Sequence, residues 1–321
     1  MENLKELTEA VLFETGDYRI LTDSIRAMHD LYASYTGIEA HHITDDNTFL
    51  PSGMAISPME AAHCLLDTRR TVVFLRGIHK ALLQLKKEFP GRKINILYAG
   101  CGPYATLLTP FTSLFSSEEL AFYMLDISQV SLDSVERLYT ALGLNDYIED
   151  VICTDATTYM FPEDITMHLV ISETMQRALA KEPQVPIMLR LIPQMADNTI
   201  FIPEEITVSL VLRSWEEEER GLSTIGYTPV RMLLGPVYSI GRDNCREHVP
   251  CTIQIPLETG KFNSLNLFTD VTVFNDEKLS AFNSGINLPL KIASVIGKNG
   301  KAIKFRYELS NSPKFHYEWE E

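Results

Sequence analysis

The pattern of apolar and polar positions divides the chain into a helical N-terminal part, a middle part of alternating strands and helices, and a β-rich C-terminal part. Up to about residue 36, apolar residues recur at spacings of three and four, which predicts helix. Two further helical patterns begin at about residues 59 and 71, and Pro90-Gly91 ends the second. Residues 37–58 follow neither period, and an irregular segment of this length is typical of a lid or binding loop.

In the middle of the chain, helical patterns separate four strand-like apolar runs. The runs lie at about residues 94–99, 121–125, 150–153 and 167–171. Strands that alternate with helices favour βαβ units and a parallel sheet. We therefore predict an α/β fold with a Rossmann-like domain over residues 76–197, preceded by a helical cap over residues 1–75 that includes loop 37–58.

After about residue 197 the segments alternate or are rich in β-branched residues, and Gly, Pro and Asn bound them. This sequence pattern predicts antiparallel β-sheet, and we assign residues 198–321 to a β-rich, barrel-like domain. A run of charges at Trp215–Arg220 is interpreted as the solvated face of a helix.

The net charge of −15 over 321 residues argues against nucleic acid as a partner, because the phosphate backbone would be repelled. It is compatible with a cationic substrate. No apolar run approaches the ~18 residues that a membrane span needs, so we expect no membrane partner. The five cysteines are odd in number and scattered, which indicates reduced thiols and a cytoplasmic location.

The irregular segment also contains His41, His42, Asp45 and Asp46, which are side-chain types that bind metals. Adjacent histidines rarely point the same way. We therefore interpret the four residues as exposed loop polars and expect no metal site.

The most informative motif lies at Ile94–Pro110, where an apolar run ends in Gly100-Cys101-Gly102 and a short helical pattern follows. This is the sequence form of a strand, a tight turn and a helix N-terminus. Glycines allow the backbone to approach a ligand closely, and a helix start offers unpaired N–H groups.

Two aspartates follow the next two predicted strands. Asp126 lies 26 residues after Gly100, near the ~20-residue offset at which an acid meets ribose hydroxyls in such folds. Asp155 follows the third strand, where a side chain could reach an adenine amino group. Each alone could be a turn or N-cap residue. Together with the glycine turn, they indicate a nucleoside-bearing cofactor.

The fourth strand ends at Ser172-Glu173, and Glu182 follows nine residues after Glu173. Two glutamates at the carboxyl end of a strand could bind the same cation. A planar guanidinium is suited to such a site, because it can donate hydrogen bonds to both carboxylates. The alternative is that Glu182 lies on a helix surface and only Glu173 faces the cleft.

On these four motifs the chain resembles the class I S-adenosylmethionine-dependent methyltransferases, and within them most closely the protein arginine methyltransferases. That family holds the substrate guanidinium with a Ser-Glu-x-Met loop and a second glutamate nine residues on, which match Ser172–Met175 and Glu182. Its Asp-x-x-Arg-Thr helix matches Asp67–Thr71, so the resemblance implies that Arg70 binds the methionine carboxylate. It also implies S-adenosylmethionine as cofactor, Ser172 at the cofactor site, a barrel-like C-terminal domain and a homodimer, although no dimerisation segment is recognisable.

The chain departs from this family at three places. Tyr98 replaces the acid before the glycine turn, and Tyr104 replaces its third glycine. Either tyrosine could offer a hydroxyl or a π face to the sulfonium, or pack against the neighbouring helix. The Thr-His-Trp loop of the arginine site has no match near Phe268–Asp270.

The run from Gly100 to Thr106, Gly-x-Gly-Pro-x-x-Thr, resembles nicotianamine synthases, which transfer the aminocarboxypropyl arm of the same cofactor. The first prediction is nevertheless a methyltransferase acting on nitrogen of a small molecule or peptide, with Glu173 and Glu182 as catalytic residues. One alternative is an enzyme that transfers or cyclises the aminocarboxypropyl arm and releases methylthioadenosine. A second is a non-catalytic, cofactor-binding subunit.

Overall fold

A computed structural model describes residues 2–39 and 47–320 of the chain. The loop residues His41, His42, Asp45 and Asp46 lie outside this part. The helices are α1 (Glu2–Phe13), α2 (Tyr18–Thr36), α3 (Pro58–Cys64), α4 (Thr68–Glu88), α5 (Gln129–Leu142), α6 (Gln184–Leu191) and α7 (Trp215–Ser223). The first seven strands are β1 (Thr48–Leu50), β2 (Gly53–Ala55), β3 (Ile94–Ala99), β4 (Leu120–Asp126), β5 (Ile148–Cys153), β6 (Leu169–Ser172) and β7 (Ile200–Ile202). The others are β8 (Glu205–Arg213), β9 (Met232–Gly241), β10 (Cys251–Gln254), β11 (Ser264–Phe274), β12 (Glu277–Leu279), β13 (Leu290–Ser294), β14 (Ala302–Glu308) and β15 (Lys314–Glu320).

The central sheet is parallel and has the strand order β5-β4-β3-β6-β7. Its inner strands are almost wholly buried, as expected for a sheet that other layers cover on both faces. The chain leaves β3 toward β4 and β5 on one side and returns to β6 on the other. The strand order therefore reverses between β3 and β6, and in such sheets ligands bind at the carboxyl ends of the strands where the order reverses.

The helical structure predicted up to about residue 36 consists of two helices, α1 and α2. Asp17 caps α2 by accepting a hydrogen bond from the backbone N–H of Arg19, and Gly37 ends it with a left-handed φ of 72°. The apolar positions at Leu21, Ile25 and Met28 are buried, as the helical spacing predicts.

The C-terminal part forms two antiparallel sheets. One has the order β12-β11-β8-β9 with β13 also paired to β11, and the other has the order β10-β14-β15. With the parallel sheet and the N-terminal helices, they confirm the predicted fold class. The described residues contain no helix long and apolar enough to cross a membrane.

The two predicted boundaries between domains, after residues 75 and 197, stay predictions, and two elements bear on where they are drawn. Helix α4 runs across residue 75, and β7 lies beyond residue 197 although it pairs in parallel with β6. We therefore propose that the Rossmann-like part begins with α4 and ends with β7.

The charge run at Trp215–Arg220 forms the start of α7, but its face is only partly solvated. Glu217 and Glu218 are 6% and 9% exposed. Glu218 accepts hydrogen bonds from the side chains of Arg213 and Arg231, and Glu217 pairs with Lys261. The sequence interpretation was wrong for these two residues because their partners lie outside the helix, at the end of β8 and in two loops, and a helical pattern does not reveal them.

Candidate functional site

A pocket lies at the carboxyl ends of β3, β4 and β6. It brings together most of the residues that the sequence singled out. Those that line it are Arg70, Tyr98, Gly100, Gly102, Asp126, Asp155, Glu173 and Glu182.

The glycine turn, Gly100 to Gly102, lines this pocket. Gly100 and Gly102 have left-handed φ angles of 78° and 63°, which favour glycine. A Cβ atom on Gly100 would lie 2.5 Å from the Cγ2 atom of Thr174, so the turn packs tightly against the chain that leaves β6.

The helix N-terminus expected after this turn is absent from the structure, and that prediction was wrong. Residues 103–108 form consecutive turns, followed by a short 3-10 helix at Thr109–Ser113. The φ of Ala105 is +44°, which is incompatible with a right-handed helix, and Pro103 and Pro110 have no N–H to donate.

Asp126 holds the turn in place. Its Oδ2 accepts a hydrogen bond from the backbone N–H of Gly102 at 2.9 Å, and its Oδ1 accepts one from Ser128 at 2.8 Å. Burial raises the pKa of this carboxyl group, while these two N–H groups lower it. Asp155 likewise accepts hydrogen bonds from the N–H and hydroxyl of Thr157, both at 2.8 Å. Both aspartates thus stabilise turns and also line the pocket.

Arg70 projects into the pocket from the first turn of α4. Asp67 caps this helix by accepting a hydrogen bond from the backbone N–H of Arg70, which explains the spacing of the Asp-x-x-Arg motif. The Arg70 guanidinium pairs with Oε2 of Glu173, whose side chain is only 5% exposed. The other Glu173 oxygen, Oε1, is buried and has no hydrogen-bond partner in the described part of the chain.

Glu182 is also buried, at 7% exposure, and it precedes α6 instead of lying on a helix surface. The preceding Ala178, Leu179 and Lys181 have left-handed φ angles of 55°, 54° and 67°. Such angles cost free energy in residues other than glycine, so surrounding contacts must impose them.

The C-terminal part supplies those contacts. The hydroxyl oxygen of Thr269 accepts a hydrogen bond from the N–H of Ala178 at 2.9 Å. The hydroxyl of Tyr307 donates to the carbonyl of Leu179 at 2.6 Å, and the N–H of Lys181 donates to the carbonyl of Pro313 at 2.7 Å. Three distant segments thereby fix the loop that carries Glu182.

The pKa of Glu182 is raised to about 7, chiefly by burial; the charge of Arg70 and a hydrogen bond from the Gln176 side chain act to lower it, and the charge of Glu60 acts weakly to raise it. A carboxyl group with this pKa is partly protonated near neutral pH, so it can release a proton when a cation binds or accept one during a reaction.

The described end of the irregular segment 37–58 covers the pocket. Strands β1 and β2 form a hairpin, and Leu50, Met54 and Ile56 from this region line the cavity. The N–H of Met54 donates to the carbonyl of Lys181 at 2.8 Å. The hairpin is therefore attached to the loop that carries Glu182.

Tyr98 lines the pocket, whereas Tyr104 and Ser172 do not. The hydroxyl of Tyr104 donates to the carbonyl of Ile38, and its ring lies 5.5 Å from that of Tyr32 on α2. Tyr104 therefore packs against a helix, which was the alternative interpretation. Ser172 is fully buried, and its carbonyl accepts a hydrogen bond from the Gln184 side chain at 3.1 Å. We accordingly leave both residues out of the proposed cofactor site.

Sequence reasoning missed several residues at the site. Gln184 accepts a hydrogen bond from the N–H of Thr174 at 2.8 Å and so fixes the end of β6 against α6. Cys64 lines the pocket, and burial raises the pKa of its thiol. The sequence offered only one hint for each residue: Gln184 lies close to Glu182 in the chain, and Cys64 lies close to Asp67. Across residues 2–39 and 47–320, no group of three or more His, Cys, Asp or Glu could hold a metal.

Comparison with known proteins identifies the fold. No family model and no curated protein matches the chain. Among solved structures, the Trypanosoma brucei PRMT1 enzyme-prozyme heterotetrameric complex with AdoHcy is 14% identical over 80% of this chain and 92% of that one, with a TM-score of 0.51. The crystal structure of PRMT6-SAH is 11% identical over 81% and 99%, with a TM-score of 0.55. That of PRMT6 is 10% identical over 76% and 95%, with a TM-score of 0.54. The predicted resemblance to the protein arginine methyltransferase fold is thus confirmed.

Proposed function

We propose that this protein is an S-adenosylmethionine-dependent methyltransferase that acts on the nitrogen of an amine or guanidine, in a small molecule or a peptide. The observation that supports it most strongly is the meeting of Glu173 and Glu182 in one pocket with Gly100 and Asp126. Two buried carboxylates are suited to a cation, and the glycine turn and aspartate are suited to a nucleoside.

Two of the structural neighbours are complexes with AdoHcy or SAH, which supports the same cofactor class here. In our proposal Arg70 binds the methionine carboxylate, Asp126 the ribose hydroxyls and Asp155 the adenine amino group. Tyr98, at the end of β3, lines the pocket beside the turn. The unpartnered Oε1 of Glu173 fits this arrangement, because it leaves one carboxylate oxygen for a substrate N–H.

When bound, S-adenosylmethionine would supply a methyl group that a nitrogen lone pair attacks, with the carbon–sulfur bond breaking and its electrons passing to sulfur. Glu173 and Glu182 orient the attacking nitrogen. The ionised form of Glu182 accepts the proton that this nitrogen loses, for which a pKa of about 7 is suitable. The hairpin β1–β2 limits the access of water to the pocket.

The test is product analysis by mass spectrometry after incubation of the purified protein with S-adenosylmethionine and a guanidine or amine. S-adenosylhomocysteine that forms only with the acceptor supports the proposal. Methylthioadenosine would instead indicate attack on the aminocarboxypropyl arm. Cofactor binding without either product would indicate a non-catalytic subunit.

The matched variant for this test is Glu173→Gln, with the exposed Glu118→Gln as control. We expect Glu173→Gln to abolish turnover while S-adenosylhomocysteine still binds, at least as tightly as to the unmodified protein, because Arg70 is then free of its carboxylate partner. Full activity in Glu173→Gln would remove this residue from the mechanism.

We further propose that the protein forms a homodimer. Helix α7 and the segment after it expose large apolar side chains, including Trp215 at 72%, Leu222 at 92% and Leu233 at 67%. Exposed apolar side chains in neighbouring parts of the chain, here in α7 and at the start of β9, favour a contact with another protein surface. One structural neighbour is a heterotetrameric complex, which is compatible with such assembly.

A further inference from the structure

The β1–β2 hairpin contains a glycine whose backbone lies against the loop that carries Glu182. A Cβ atom on Gly53 would lie 2.8 Å from the backbone nitrogen of Pro183, and 3.1 Å from both the carbonyl carbon of Glu182 and the carbonyl oxygen of Lys181. Non-bonded carbon atoms prefer separations of about 3.5–4.0 Å. All three neighbouring atoms belong to the backbone, so no side chain can turn aside to make room. The contact therefore requires glycine at residue 53.

The conformation of Gly53 has a match elsewhere in the fold. Its φ is +147°, and Gly235 in β9 has the same φ. Angles of this kind favour glycine. A Cβ atom on Gly235, however, would have no neighbour within 4 Å in the part of the chain that the structure describes. The two glycines thus meet the same conformational demand, and Gly53 alone of the two makes a close contact.

The residues on either side of this glycine connect the hairpin to two loops of the pocket. The N–H of Met54 donates to the carbonyl of Lys181 at 2.8 Å. On the other side, the Oγ atom of Ser52 lies 3.4 Å from Oγ1 of Thr157. The hairpin therefore reaches from the loop before α6 to the loop after β5.

The hairpin contact coincides with the point at which the loop before α6 becomes buried. Lys181 is exposed, whereas Glu182 and Pro183 are buried. The hydrogen bonds from the C-terminal part hold the residues before Glu182, at Ala178, Leu179 and Lys181. The hairpin instead contacts the backbone of Glu182 itself. It is therefore the hairpin that shields Glu182 from solvent on this side.

The hairpin acts on the Glu182 carboxyl group by excluding water, since residues 48–55 contain no acidic, basic or histidine side chain. Burial is the chief cause of the raised pKa of this group. The charged and titratable groups that act on it come from α3, α4 and its own loop, and are Glu60, Cys64, Arg70 and Lys181. A displacement of the hairpin would therefore change this pKa through burial.

We propose that Gly53 is a positioning residue, which allows the β1–β2 hairpin to pack against the backbone of residues 181–183 and so holds the Glu182 carboxyl group in a site shielded from water. This inference rests on the proposed function, in which Glu182 orients the acceptor nitrogen and accepts its proton. Gly53 does not line the pocket itself, so it acts through Glu182 and touches neither ligand.

The test is the pH dependence of acceptor binding in Gly53→Ala. The probe is 1-butylguanidine, titrated by calorimetry at pH 6 and pH 8 into protein saturated with S-adenosylhomocysteine. In the unmodified protein, a pKa of about 7 for Glu182 makes binding about tenfold tighter at pH 8. The added methyl group separates the hairpin from the loop, so water reaches the carboxyl group and its pKa falls toward 4.5. A pKa of about 6 already reduces the tenfold ratio to about twofold.

This ratio distinguishes positioning from a purely structural role. Lost packing alone would weaken binding equally at both pH values and leave the ratio at about tenfold. The matched control is Gly235→Ala, which has the same strain in φ without the close contact and should keep the tenfold ratio. A tenfold ratio in Gly53→Ala, or an equal decrease in Gly235→Ala, would overturn the inference.

A second variant applies if a thermal melt shows that Gly53→Ala does not fold. Pro51→Gly loosens the exposed turn of the hairpin, because it removes the ring that restricts φ and adds no atom at the contact. It should lower the ratio in the same direction, and an unchanged ratio would refute the inference while S-adenosylhomocysteine still binds. If S-adenosylhomocysteine fails to bind the unmodified protein, the proposed function is refuted and the inference with it.

Discussion

Raising the pH from 6 to 8 should strengthen the binding of a simple guanidine such as 1-butylguanidine, because Glu182 loses its proton in that interval. Burial raises the pKa of Glu182 to about 7, from an ordinary value of 4.5. The acid is therefore largely neutral at pH 6, when it cannot pair with a cation. The guanidinium of this probe stays protonated throughout, since guanidines lose their protons only above pH ~10.

The size of the effect follows from the ionised fraction. With a pKa of about 7, this fraction rises from about one-tenth at pH 6 to about nine-tenths at pH 8. The dissociation constant should fall by about tenfold, which corresponds to ~1.4 kcal/mol. Binding at pH 6 should release nearly one proton, and binding at pH 8 almost none.

Calorimetry in buffers of different ionisation enthalpy measures both the affinity and the released protons. The matched variant is Glu182→Gln, which cannot ionise and should show weak, pH-independent binding. A flat affinity in the unmodified protein, or the same pH dependence in Glu182→Gln, would show that Glu182 does not control the site.

Three further outcomes test the site and the assembly. Arg70→Ala should weaken S-adenosylhomocysteine binding by at least about tenfold in calorimetry; an unchanged dissociation constant would refute the assignment. Tyr307→Phe removes the hydrogen bond to Leu179, worth ~1 kcal/mol, and should raise the KM for the acceptor several-fold; a raised dissociation constant for S-adenosylhomocysteine instead would contradict this role. Leu222→Glu should convert a dimer to a monomer in sedimentation velocity, whereas a monomeric unmodified protein would exclude the proposed homodimer.

The sequence was sufficient to predict four of the five strands of the parallel sheet, because buried parallel strands are apolar runs. The fifth, β7, was assigned to the β-rich part, although it pairs with β6. The run at residues 94–99 matches β3, and Gly100 marks the turn after it. The helix predicted after that turn was wrong, because local apolar spacing does not reveal a left-handed residue such as Ala105.

The substrate side of the site was only partly predictable. The glutamate spacing indicated Glu173 and Glu182, but the burial of Glu182 depends on Thr269 and Tyr307, which are 91 and 128 residues away from their partners in the loop. Contacts over such separations have no local signature.

The ion pair between Arg70 and Glu173 has a consequence for how the two ligands influence each other. In our proposal the methionine carboxylate and the substrate cation must both break this pair, one from each side. If the cofactor binds first, its carboxylate takes Arg70 and leaves Glu173 free for the substrate cation. If the substrate binds first, it takes Glu173 and leaves Arg70 free for the cofactor carboxylate. Such thermodynamic coupling is reciprocal, so cofactor and substrate would raise each other's affinity by the same factor. The enzyme would then hold either ligand loosely alone and both firmly together.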